Sequence, residues 1–139
     1  MPPANATACN DRTDHLSVAE VATEITLYHG FGCWRAQIAF RGQFVKVMFA
    51  YTKTPYTMGA TSEMLAMKNE PSAEGGLFMG PPLLRDEEDD LWLSQMPAVV
   101  QHLARKMDLV PASGKAQSQA LKILLDCNDV LGDVTRANG

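Results

Sequence analysis

Two short apolar runs separated by a block of acid constrain this chain more than any other feature: Leu83-Leu84 and Leu91-Trp92-Leu93, with Asp86 to Asp90 between them. Apolar runs joined by a short polar link predict a β-hairpin. The pair Pro81-Pro82 leads into the first run, and a helix follows the second. Ser94 is its candidate N-cap, and Pro97 stands in the first turn, where a missing N–H costs nothing. Val99, Val100, Leu103 and Met107 space out one apolar face. After Pro111, a last helix is expected from about Lys115 to Thr135, with Leu121, Leu124, Leu125, Val130, Leu131 and Val134 on a broad apolar side. The acidic run has metal-like composition without ligand geometry, so it reads as a solvated hairpin turn and no metal is expected.

Upstream, Ile25 to His29 carries β-branched and aromatic residues and stops at Gly30, which predicts a strand. Trp34, Ile38 and Phe40 then outline a short helix, with Gly42 as its C-terminal stop. Phe44 to Tyr51, β-branched and aromatic, fits a second strand better than a helix. A strand-helix-strand unit of this kind implies parallel strands. Between Thr52 and Gly80 the pattern is weak: Ser62 to Met67 suits one or two helical turns, and Glu74-Gly75-Gly76 is loop. Residues 1–24 are polar and rich in Pro, Ala and Asn, which reads as a flexible extension with a short helical turn near Leu16 to Val21.

The formal net charge of -4 and the scattered lysines and arginines give no footprint for nucleic acid. No apolar run is long enough to span a bilayer, and Asn10, Asp11, Arg12, Asp14 and His15 interrupt the start where a signal peptide needs an apolar stretch. Cys9, Cys33 and Cys127 have neither metal nor disulfide-framework spacing, which suits free thiols in a reducing, cytosolic compartment.

Leu27-Tyr28-His29, followed by Cys33-Trp34-Arg35-Ala36-Gln37-Ile38-Ala39-Phe40, resembles the start of glutathione transferases, and Cys-Trp-Arg is most similar to the zeta class. Gly80-Pro81-Pro82-Leu83-Leu84 resembles the cis-proline strand of that family. Leu93 to Ala104 resembles its Gln/Glu-Ser helix, and Asp108-Leu109-Val110-Pro111 its interdomain linker. The likeness spans roughly Ile25 to Val134 and lies in the order and spacing of the motifs. It implies a thioredoxin-like α/β domain over residues 25–108, and over 109–139 a linker and the first helix of an otherwise missing helical domain.

The resemblance also implies glutathione as co-substrate, a hydrophobic electrophile as second substrate, and a homodimer or larger assembly. The γ-glutamyl carboxylate would sit at the helix start by Gln95, because a helix N-terminus offers unpaired N–H groups and the positive end of its dipole. The family's serine is Met96 here, so the backbone N–H stays and a hydroxyl bond worth about 0.5–1.5 kcal/mol is lost. The residue before the cis-proline would pair with the cysteinyl backbone. If Pro82 is cis, Pro81 precedes it and has no N–H to give; if Pro81 is cis, Gly80 restores both bonds. Activation falls to Tyr28 or to Cys33, the latter near a helix start where a lowered thiol pKa is expected. The resemblance would also let Arg35 meet a glutathione carboxylate, against the ordinary reading of a solvated or helix-pairing arginine. The alternative is a non-catalytic binding or scaffold subunit with the same fold.

Overall fold

The computed structural model describes residues 25–28, 41–70 and 78–137. Its elements run β1 (Ile25–Tyr28), α1 (Gly42–Thr52), β2 (Thr57–Met58), α2 (Thr61–Asn69), β3 (Leu83–Asp86), β4 (Leu91–Ser94), α3 (Met96–Lys106) and α4 (Gly114–Ala137). The four strands form one mixed α/β sheet in the order β2-β1-β3-β4, with β1 and β2 parallel and the other pairs antiparallel.

Strand alternation sorts the core into two layers, because successive side chains point to opposite faces. Ile25, Leu27 and Leu84 pack with Val45 and Phe49 of α1 and Val99 and Leu103 of α3. On the other face Leu83, with Tyr28 and Trp92 beside it, meets Met64 of α2 and Phe78. The expected hairpin is present as β3 and β4, with Leu84 opposite Leu93 and Asp86 opposite Leu91.

Phe44 to Tyr51, expected as a strand, belongs to α1 instead. Val45 is fully buried and Phe49 nearly so, four residues apart, whereas Val47 is exposed and Tyr51 is 78% exposed. A strand would bury Val45, Val47, Phe49 and Tyr51 on one face; the burial observed has the helical period. An almost unbroken apolar stretch fits either period, so β propensity yielded to packing against α3 and the sheet. Gly42, expected as a helix stop, opens α1. The parallel partner of β1 is the short β2, which the weak pattern after Thr52 concealed. Ser94 is the last residue of β4, and Gln95 stands at the N-cap in its place. The extension at residues 1–24 and the helix over Trp34, Ile38 and Phe40 lie outside the described residues.

Helix α4 spans the segment expected and buries none of its residues. Among the described residues, no helix is long and apolar enough to cross a membrane.

Candidate functional site

Register brings three separated parts of the sequence to one end of the sheet. Tyr28, the last residue of β1, pairs with Leu83, the first of β3, and Leu83 pairs with Ser94, the last of β4. Pro82 precedes Leu83, is buried, and follows a cis Pro81-Pro82 peptide bond. Gln95 follows Ser94 and opens α3. The carboxyl ends of parallel strands, where chain segments diverge, form a crevice that ligands use in α/β sheets.

Gln95 has φ 73° and ψ 114°. A non-glycine residue in that region costs on the order of 1–3 kcal/mol and persists only where its surroundings enforce it. Here the strand end fixes one side and the helix the other, the Gln95 carbonyl accepting the Val99 N–H at 3.0 Å. Among the described residues no side chain caps α3, and Pro97 lies in its first turn. The N–H groups of Met96 and Ala98 therefore mark the helix start, while the Met96 side chain is buried. Ser94, the last residue of β4, lies one position before the N-cap.

Tyr28 stands at this end but its ring is packed. It stacks on Trp92, with centroids 6.0 Å apart and planes at 28°. Gly59 also lies against the ring, where a Cβ atom would come within 2.1 Å of it; the Gly59 N–H donates to the Leu27 carbonyl at 2.9 Å. Burial raises the phenol pKa, and the nearby Glu63 and Glu87 carboxylates raise it further. At neutral pH Tyr28 is thus a hydrogen-bond donor and not a base. Cys33 and Arg35 lie outside the described residues, so of the expected site residues Tyr28, Pro81, Pro82, Gln95 and Met96 are brought together.

The opposite end of the sheet carries a group that the sequence reading folded into a solvated turn. Asp86 is 0% exposed, unlike Glu87, Glu88, Asp89 and Asp90. Both its oxygens accept from Lys106 Nζ at 2.8 Å, and Oδ2 lies 2.8 Å from His102 Nε2. Burial would raise its pKa, but hydrogen bonds from Lys106 and His102 and the Asp89 N–H outweigh this and hold it below the usual carboxylate range. Asp86, Asp89 and His102 place ligand atoms within 4.8 Å of one another, closer to metal geometry than the sequence suggested. The Lys106 ammonium already supplies the positive charge in front of Asp86, and it also meets Glu88 at 2.7 Å. This arrangement is a clasp between hairpin and helix. Part of the signal was present in the sequence: His102 and Lys106, four residues apart, share one polar edge once α3 is wound, but nothing local announced that Asp86 of β3 points inward.

Arg85 lies 5.4 Å over the Trp92 ring and pairs with Glu87 and Asp90, which raise its pKa further. A cleft of about 150 Å³ separates α3 from α4, walled by Val100, Ala104, Leu109, Leu121 and Leu124 among others. Comparison with known proteins matches no family and no curated protein.

Proposed function

We propose that this chain carries a thioredoxin-like domain of the glutathione transferase type, cytoplasmic, which binds glutathione beside Pro82 and the start of α3. The observation that carries this reading is the meeting of the β1 end, the proline-led β3 and the strained Gln95 at one crevice. Each part suits a portion of an anionic tripeptide. The N–H groups of Met96 and Ala98, at the positive end of α3, would take the γ-glutamyl carboxylate. The Pro81 carbonyl would accept from the cysteinyl N–H, but Pro81 returns no N–H, so the extended edge is half used. Arg35 would meet a carboxylate, and a hydrophobic electrophile would be the second substrate at the crevice.

Cys33 is the proposed reactive thiol. Its thiolate would attack one sulfur of glutathione disulfide, forming a Cys33–glutathione bond while the S–S bond breaks and glutathione thiolate leaves. Tyr28, protonated and wedged, would act as a donor toward a thiolate at the crevice, the role needed if glutathione itself attacks an electrophile.

Retention on immobilised glutathione, together with Cys33 alkylation at about pH 6–7, tests the reading. Absence of retention and an ordinary slow thiol would overturn it. A specific observation favours a second reading, a non-catalytic scaffold subunit. Pro81 has no donor and Met96 turns its side chain into the core, so two polar contacts to the tripeptide are gone. Folded protein that neither binds glutathione nor turns over, yet co-purifies with a defined protein partner, is the outcome for this case.

A further inference from the structure

Helix α4 buries none of its own residues, yet its N-terminal half closes a cleft against α3. Val100 and Ala104 of α3, Leu109 of the segment between the helices, and Leu121 and Leu124 of α4 line it with apolar surface. Both walls are pinned to that segment. The Leu109 N–H donates to the Ala104 carbonyl at 2.8 Å, and the Gln117 side-chain amide donates to the Pro111 carbonyl at 2.9 Å. The space, about 150 Å³, is therefore preformed, and Leu109 and Leu121, each 39% exposed, leave its mouth to solvent. Two polar side chains share the apolar lining: Gln101 and Arg105, one turn apart on α3. Arg105 also borders the hollow beside Glu88 and Asp89, but Lys106 lies 2.7 Å from Glu88 and 3.5 Å from Asp89. Among the described residues the Arg105 guanidinium has no ion pair. An apolar cleft with two convergent donors, one of them a cation without a counter-charge, has the chemistry of a site for a small organic anion.

We propose that this cleft binds a monocyclic aromatic carboxylate, at a site separate from the crevice at the other end of α3. Size selects the ring, because an apolar cavity of this volume accepts one benzene-sized group. Charge selects the head group. A carboxylate meets the planar fork of Arg105 with two parallel hydrogen bonds, and the Gln101 amide has a donor for it one turn away. A cationic ligand would be repelled by Arg105, and an acid without a ring would leave the apolar walls unused. Position separates this site from the crevice: Arg105 stands about 15 Å along the helix from Gln95, so a ligand of one ring and one carboxylate does not reach both. The inference holds whether or not the crevice takes glutathione.

Titration of the whole chain with sodium benzoate at fixed ionic strength, followed by amide NMR shifts, tests this directly. The expected result is a saturable change with a dissociation constant on the order of 0.1–1 mM. It should be confined to residues 100–111 and 117–124 and leave Tyr28, Leu83 and Gln95 unmoved. Benzyl alcohol, a ring without the charge, and acetate, the charge without a ring, should each bind at least about 5-fold more weakly. Arg105→Gln should weaken benzoate by about 3- to 10-fold, as expected for an exposed charge-assisted pair, and leave benzyl alcohol unchanged. Ala120→Phe, which sets a ring into the cleft from α4, should abolish the benzoate shifts while its circular dichroism and melting profile stay those of the parent. Shifts centred on the crevice, equal binding of benzyl alcohol and benzoate, indifference to Arg105→Gln or to Ala120→Phe, or no saturation up to about 10 mM benzoate would each overturn the proposal.

Discussion

Gly59 and Tyr28 form the tightest apposition at the candidate site. Because a Cβ at position 59 would meet the ring at 2.1 Å and Trp92 blocks retreat, Gly59→Ala should destabilise the protein by about 1–3 kcal/mol. Chemical denaturation of that variant, alone and combined with Tyr28→Ala, checks the clash; the double change should recover part of the loss. At Asp86 the linkage runs the other way from burial alone. Its folded pKa is below the unfolded value of about 3.9, so the carboxylate contributes stability above that pH and loses it as pH falls through the folded pKa. Asp86→Asn should cost about 2–3 kcal/mol at neutral pH and flatten the acid limb of the stability profile. An unchanged acid limb would remove Asp86 from that role. Neither residue stood out in the sequence as its neighbours did, because burial of one acid among five is decided by α3 and not by the run itself.

The elements divide by how far local pattern could define them. The hairpin, α3 and α4 were legible because apolar spacing, proline position and turn composition agree there. α1 was not, since Phe44 to Tyr51 satisfies two periods and only contact with α3 chooses between them. That choice is measurable: Phe49→Ala should cost about 3–4 kcal/mol, while Val47→Thr, on the same face in a strand but outside in this helix, should cost under about 0.5. β2, with only Thr57 and Met58, is too short to carry a pattern. At the head of α3, Gln95→Gly should relieve the positive φ and leave stability unchanged or raise it by up to about 1 kcal/mol. The same change should weaken retention on glutathione if the Gln95 side chain contacts the ligand, and this split separates a binding role from a purely structural one. The strain itself was invisible in sequence, since glutamine gives no hint of a positive φ.

Over the whole molecule, protection should follow the two core layers. β1, β3, α1 and α3 contribute most of the buried side chains, with Met64 of α2 and Phe78 on the second face, whereas α4 contributes none. Amide exchange should therefore be slowest in the first group and markedly faster in α4. Uniform protection across α3 and α4 would contradict this division. The crevice at the start of α3 is positioned by a helix that is held at its far end. Lys106, at the last turn of α3, is fixed to Asp86, and Gln95, about 16 Å along the axis, stands at the helix start. Loosening the clasp would let α3 slide as a rod, so a proton taken up at one end of the sheet would be felt as a lost ligand contact at the other.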